Sequence, residues 1–297
     1  PDALLDAADR LELDAIVNLT PLPVHAEVTR AALRRELHVY SEKPLAPTFE
    51  EAKDLRNLAM SRMLVLVAAP SILLFPQIVR ARELLPTIGS VRSARAFVAG
   101  GIPPWEGYAS DPSPYFAADA GPLVDLGVYP FHVLTGLLGE ATQVLAASTR
   151  TRERFTVADG PFAGLDVPVE ADDTWFALLR LGDGAIASVG ANFSTQGIPG
   201  PECEVFGERG TLAFSLLDVA APIVRSGSDG WVDEPVASAR PGGGPDHILG
   251  VRHLAECIRG GFEPVVSADH ALHVLRVIEA ARASARDGRA TAVDPVD

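Results

Sequence analysis

The sequence predicts an α/β chain in which a parallel strand–helix–strand unit precedes a longer region of mostly antiparallel strands. Three observations predict it. Ala15-Ile16-Val17-Asn18-Leu19 is an apolar run of buried-strand type, followed by the turn residues Thr20-Pro21-Leu22-Pro23 and a helical stretch over residues 24–35. His38 to Ser41 then reads as a second short strand, so that strand, helix and strand follow closely enough to make a βαβ crossover. Beyond residue 69, β-type runs dominate and tight turns such as Gly182-Asp183-Gly184 separate them, which argues antiparallel neighbours.

The elements follow in order. Leu4, Leu5, Ala8 and Leu11 lie at helical spacing, which predicts a helix within residues 1–13 ahead of the first strand. Phe49 to Lys53 reads as helix, and residues 63–68 as the last strand of the first part. Pro70 marks the crossing and divides the chain into 1–69 and 70–297. Strands are predicted over 91–98, 143–149, 174–181, 185–193, 202–206 and 211–214. Between the first two, Pro122 suits a first helical turn and Gly139 a helix end, and Pro130 is expected to kink the helix between them. Residues 225–244, rich in Gly, Ser and Pro, predict a surface loop. Ser267 caps a final helix that presents Ala271, Leu275, Ile278 and Ala285 to the core and ends at Gly288. That helix is expected to return toward the first part.

Lys43 is one of two lysines among 25 basic residues. Arginine stays charged and bulky, whereas a lysine amine is a compact charge that approaches a small reacting centre, so a lysine kept where arginine is the habit is a candidate for chemistry. Lys53, with acidic neighbours on a helix, reads as a solvated charge. Lys43 ends a β-prone run and precedes Pro44, and the Lys43-Pro44 bond is expected to be cis. Open α/β sheets bind ligands at the carboxyl ends of their strands. Two such ends, Asn18 to Pro21 and Ser41 to Pro44, are expected side by side. Farther on, Asp125, Tyr129 and His132 fall at i, i+4 and i+7 and share one helix face. That spacing describes either a site or the wet side of an amphipathic helix.

The run Ala15 to Pro21, then His25, then Glu42-Lys43-Pro44, resembles the glucose-fructose oxidoreductase, inositol dehydrogenase and rhizopine catabolism (Gfo/Idh/MocA) family of NAD(P)-dependent oxidoreductases. The resemblance implies cofactor contacts, to NAD or NADP, from Asn18, Thr20, Pro21, His25, Glu42 and Lys43. It also implies a catalytic group of Lys43, Asp125, Tyr129 and His132. Family members carry Gly-x-x-x-Asp-x-x-x-His-x-x-Asp, with His as acid/base; this chain has Tyr129 at the His position and His132 at the second Asp position. Tyrosine there resembles the subgroup that includes glucose-fructose oxidoreductase and dimeric dihydrodiol dehydrogenase. An unperturbed phenol titrates near ~10, so it needs a cation beside it, which Lys43 would supply; His132 stands as the rival base. Trp105, Tyr108 and Tyr115 precede this helix in a Pro/Gly-rich loop and are either walls of a sugar pocket or local packing anchors.

No Gly-x-Gly-x-x-Gly motif occurs in the 297 residues, although a dinucleotide fold opens with one. The resemblance therefore implies an incomplete Rossmann-type nucleotide-binding domain in residues 1–69. An α+β domain with a large, mostly antiparallel open sheet follows in 70–297. On this reading the chain starts part-way through its fold and lacks the grip on the pyrophosphate. The leading expectation is hydride transfer at a hydroxyl or carbonyl carbon of a sugar, polyol or related cyclic alcohol. The alternatives are a non-catalytic binding or regulatory protein and an inactive truncated product. A net charge of −14 with no basic stripe argues against nucleic acid, and the longest apolar stretch is broken by prolines and too short to span a bilayer. Cys203 and Cys257 have no metal spacing, the scattered histidines suggest no metal site, and buried thiols in a reducing compartment point to the cytoplasm, with export left open. A sheet covered on one face only is expected to form a homodimer or homotetramer through the other.

Overall fold

A computed structural model describes residues 2–105, 108–228, 230–237 and 244–296. Helix α1 (Asp2–Arg10) buries Leu5 and Ala8 and leads into β1 (Ala15–Asn18). Then come α2 (Leu22–Arg34), β2 (His38–Ser41), α3 (Phe49–Ser61) and β3 (Leu66–Ala68). The three strands form a parallel sheet in the order β1-β2-β3, with Asn18 opposite Ser41 and Ser41 opposite Ala68. The third strand begins later than its apolar run, because Leu64 still hydrogen-bonds back to the end of α3 and Met63 adopts φ +54°. Thr48 caps α3 by accepting from the Glu51 N–H at 3.3 Å, a standard helix start.

The second sheet takes the remaining strands. The chain runs through α4 (Pro76–Leu84), β4 (Val91–Ala99), α5 (Pro122–Asp125), α6 (Val128–Leu138) and β5 (Ala141–Thr149). A small hairpin of β6 (Arg154–Thr156) and β7 (Asp166–Pro168) follows. Next are β8 (Thr174–Leu181), β9 (Ile186–Asn192), β10 (Cys203–Gly207), β11 (Thr211–Phe214), β12 (Ile223–Gly227) and β13 (Gly230–Glu234). Helices α7 (Ile248–Gly260) and α8 (Ala268–Asp287) and the short β14 (Thr291–Ala292) close the chain. Among the described residues nine strands pair in the order β13-β12-β11-β10-β4-β9-β8-β5-β14. Each pairing is antiparallel except β4 with β9. Strand β8 alternates buried and exposed residues along its length, as a sheet covered on one face must. Its inner residues Trp175, Ala177, Leu179 and Leu181 join one apolar cluster with Phe131 and Leu134 of α6 and Val274, Val277 and Ile278 of α8. The outer face leaves Phe176 53% and Leu178 48% exposed, beside exposed Leu145 and Ile186.

Two predicted elements differ. The helix over 122–138 is split, but at Leu126 and Gly127, between α5 and α6, and not at Pro130. Pro130 is the third residue of α6, where a helix has no acceptor for its N–H, so the ring removes nothing. Gly127 is needed for space: a Cβ there would lie 2.5 Å from the Leu123 carbonyl oxygen. The loop expected over 225–244 begins instead as the β12–β13 hairpin, whose pairs run from Ile223–Glu234 to Gly227–Gly230. Gly230 takes the positive φ, +85°, that lets so short a connection reverse. The rest of that predicted loop, including residues 238–243, lies largely outside the described residues.

Helix α8 contributes to both cores. Its Ala268, Ala271, Leu272 and Leu275 pack with Val28, Leu33, Phe49 and Leu55 around the first sheet, while Val274, Val277 and Ile278 belong to the second. Ser267 caps it by accepting from the His270 N–H, and Gly288 ends it in the left-handed region.

Candidate active site

The carboxyl ends of β1 and β2 lie side by side because the two strands are parallel neighbours in register, and Glu42 N–H donates to Asn18 O at 2.9 Å. Asn18, 2% exposed, holds the turn that follows. Its Nδ2 donates to His25 O at 3.0 Å and Thr29 Oγ1 at 2.9 Å, and its Oδ1 accepts from Thr20 N and from Thr20 Oγ1 at 2.7 Å. The amide is thereby used up inside the protein, so Asn18, expected as a cofactor contact, instead sets the shape of the Thr20-Pro21 turn. His25 faces carbonyl oxygens at both ring nitrogens, Pro44 O at 2.9 Å from Nδ1 and Thr20 O at Nε2. It ties the β1 turn to the β2 turn, where the Lys43-Pro44 peptide is cis.

Lys43 leaves the end of β2 and reaches α5. Its Nζ donates to Asp125 Oδ1 at 2.7 Å and to the Asp125 carbonyl at 3.0 Å, and lies 5.3 Å from the centre of the Tyr129 ring. Both side chains of this ion pair are about one-sixth exposed, 16% and 15%. Burial opposes the Lys43 charge, but Asp125, Tyr129 and Glu42 outweigh it and hold the ammonium above its ordinary range. The lysine is a fixed cation here. Burial pushes the Tyr129 phenol up; Lys43 pulls it down, while Asp125 and Glu42 push it up again. The sequence expectation that Lys43 brings the phenol toward neutrality is thus corrected: burial outweighs the pull of Lys43, and Asp125 and Glu42 add to the burial effect.

His132 is also corrected. It sits on α6 with Tyr129, yet it is 2% exposed and its ring packs edge-on to His270 of α8, 4.8 Å between centres. No described group hydrogen-bonds its Nδ1, and burial, with His270 and His273 close by, holds its pKa well below the usual imidazole value. A neutral ring buried between helices is not a rival base. Tyr129 and His132 are three residues apart on the unbroken α6, so spacing alone could not tell that His132 is covered by His270 of α8. His270 and His273 are structural as expected: His270 Nε2 meets Thr135 Oγ1 at 2.8 Å and His273 Nε2 accepts from Ala141 N–H at 3.0 Å. His253 is structural too, accepting from Val265 N–H, although Glu256 lies 3.9 Å from its Nδ1.

A cavity of about 550 Å³ opens over these strand ends. Thr20, Pro21, His25, Glu42, Lys43 and Asp125 line it together with Tyr108 and Tyr115; Tyr129 is not in its wall and meets the site through Lys43, whose Nζ lies over its ring. Tyr115 stands between the rings of Trp105 and Tyr108, at 5.4 and 5.6 Å. Trp105, expected as a substrate wall, does not line this cavity; its indole N–H donates to Gly100 O at 2.8 Å and it packs on Phe193. Asp111, whose carboxylate accepts from Ser113 N–H and is held below the usual carboxylate range by Ser113, also lines the cavity. Sequence reading passed over it, since a loop carboxylate has no periodicity, and only its Asp-Pro-Ser turn signature was available. Among the described residues no group of three His, Cys, Asp or Glu is arranged to hold a metal, and no helix is long and apolar enough to cross a membrane.

This crevice beyond the carboxyl ends of parallel strands is where nucleotide cofactors sit in open α/β sheets, and the comparisons agree. Residues 1–69 match the oxidoreductase family model with an NAD-binding Rossmann fold, and residues 78–213 match the GFO/IDH/MocA C-terminal domain. The chain belongs to the Gfo/Idh/MocA family of oxidoreductases. Over 152 residues it is 36% identical to a dTDP-3,4-didehydro-2,6-dideoxy-alpha-D-glucose 3-reductase of Streptomyces violaceoruber, a match covering 50% of this chain and 42% of that protein. The matched part thus spans less than half of that reductase. Over 295 residues it is 26% identical to D-xylose 1-dehydrogenase (NADP(+)) 2 of Haloferax volcanii, covering 95% of this chain and 81% of that one. A solved levoglucosan dehydrogenase, in complex with NADH and L-sorbose, shares the fold with a TM-score of 0.82 at 21% identity, over 99% of this chain and 88% of that one.

Proposed function

We propose that the chain carries the catalytic site of an NAD(P)-dependent oxidoreductase that acts on a hydroxyl or carbonyl carbon of a sugar, polyol or related cyclic alcohol. The observation that carries this reading is the Lys43 ammonium, fixed between Asp125 and the ring of Tyr129 at the end of a parallel strand. The residues present fit the nicotinamide end of a dinucleotide: Thr20, Pro21, His25, Glu42 and Lys43 would hold it in the cavity over β1 and β2. When bound there, the cofactor supplies the hydride chemistry.

The chain's own groups handle the proton. Tyr129, its phenol held protonated by burial at neutral pH, gives its proton to a substrate oxygen in the reductive direction and takes it back in the oxidative one. Lys43 stabilises the phenolate and Asp125 keeps Lys43 from turning to solvent. Proton transfer from a positioned side chain contributes about 10²–10⁴ in rate. Supporting the substrate class, the named relatives act on sugars. Exposed Phe176, Leu178, Leu145 and Ile186 support assembly into a dimer or tetramer through the outer sheet face. Buried, unpaired Cys203 and Cys257 support a reducing, cytoplasmic setting. The test is turnover of NAD and NADP with a panel of aldoses, polyols and their ketones, comparing the unaltered chain with Lys43→Met. Equal rates for the two proteins on every substrate that reacts would remove the basis of the reading.

A further inference from the structure

A second cavity, of about 580 Å³, adjoins the first and shares Tyr108 with it. Both volumes fall in the range of about 300–1,000 Å³ usual for small-molecule sites, so with the nicotinamide end and the reacting ring in the first, the second offers room for a further ring. The second cavity is lined by the rings of Trp105, Tyr108 and Phe155 and by the polar side chains of Asp159 and Gln196. Trp105 is set in advance: its N–H is bound to Gly100 O, and its ring meets Tyr115 and Phe193 at 5.4 and 6.1 Å. A fixed aromatic wall binds at little cost in lost freedom. Asp159 accepts hydroxyl protons and Gln196 both gives and accepts, a combination suited to a ring with apolar C–H faces and a rim of hydroxyls.

Charge decides what kind of ring. Glu42, Asp111 and Asp125 line the first cavity and Asp159 the second. Among the described lining residues Lys43 is the single lysine or arginine, and Asp125 already pairs with it. A diphosphate is held by cations or by backbone N–H groups; here the one lining cation is already paired, and the lining carboxylates would repel it.

We propose that the second cavity holds the second ring of an uncharged glycoside whose reacting ring lies beside Lys43 and Tyr129, and that nucleoside-diphosphate sugars are excluded. This rests on the oxidoreductase reading for the position of the reacting ring, but its test is binding without turnover. Tryptophan fluorescence of the unaltered chain would be titrated with glucose, cellobiose, maltose, trehalose and thymidine-diphosphate glucose. At least one disaccharide is expected to bind roughly tenfold more tightly than glucose, with the nucleotide sugar weaker than both. Trp105→Phe and Asp159→Asn, the latter at an exposed position and so harmless to folding, are each expected to lower disaccharide affinity several-fold while leaving glucose unchanged. No disaccharide better than glucose, or the nucleotide sugar bound most tightly, overturns the proposal. A disaccharide preference in a protein that shows no turnover supports the subsite and counts against the oxidoreductase reading alone.

Discussion

Lys43 and Asp125 stand 82 residues apart in the chain and 2.7 Å apart in space. Their contact joins the end of β2 to α5, and so fixes the strand-end crevice against the helix that leads to Tyr129. An ion pair this enclosed is costly to break from one side, because the partner is left charged and poorly solvated.

Asp125→Leu is therefore expected to lower stability by about 3 kcal/mol, and Lys43→Met combined with Asp125→Leu to lose much less than the two single changes summed. Urea denaturation of the four proteins measures this. Strictly additive losses would mean that the pair contributes no coupling.

Tyr129→Phe should reduce kcat by about 10²–10⁴ with little change in cofactor affinity, as expected for loss of a group used only in the reacting complex. His132→Gln, by contrast, should keep kcat within about threefold at neutral pH, since its ring is enclosed between α6 and α8. The opposite pattern in steady-state kinetics would return His132 to the role of base.

The buried histidines predict acid lability. Burial, then His273 and Arg82, lower the pKa of His270 from 6.5 to about 4, and burial lowers those of His132 and His273 as well. The unfolded chain binds these protons more readily than the folded one, so stability is complete above about pH 6.5 and is lost as pH falls toward about 4. His270→Gln should flatten that slope, by up to about 3 kcal/mol for a group so enclosed. Thermal unfolding followed across this pH window checks it; an unchanged slope in the variant excludes His270 as its source.

Gly127→Ala should cost both stability and activity. A methyl group 2.5 Å from the Leu123 carbonyl cannot be accepted without moving backbone, and that backbone spaces Asp125 from Tyr129. A loss of about 1–3 kcal/mol is expected, with kcat falling more than stability alone accounts for. An alanine variant with normal kcat would show that the joint tolerates adjustment.

On the outer sheet face, Phe176→Glu should convert an oligomer to monomer at micromolar concentration without lowering the melting temperature of the monomer, read by sedimentation and calorimetry. A species of unchanged mass would place any interface elsewhere.

Local pattern in the sequence carried much of the fold. The strands at 38–41 and 211–214 coincide with short β-prone runs and that at 174–181 with an alternating one, and Ser267 and Gly288 bound α8 because cap chemistry acts within one turn. What depended on space was not legible. The break at Gly127 is set by a close approach to Leu123, not by the proline three places on from it that reads as the helix breaker. The β12–β13 hairpin hides in Gly/Ser composition because its outer strand is mostly exposed and has little apolar pattern. At the site, Lys43, Asp125 and the turn around Thr20 were legible as types and spacings. The neutralisation of Lys43 by Asp125 was not, since it needs the distance between two residues far apart in the chain.

Helix α8 is synthesised long after β1 to β3, yet Ala268, Ala271, Leu272 and Leu275 belong to the core around those three strands. Ala68 N–H also donates to Val266 O, joining β3 to the segment just before that helix. During synthesis, β1 to β3 therefore wait with one flank uncovered while some 200 intervening residues are made, an order unlike that of chains whose leading part closes first. Because Val274, Val277 and Ile278 of the same helix complete the second core as well, neither sheet can close its core before α8 is made, and the two must finish folding together.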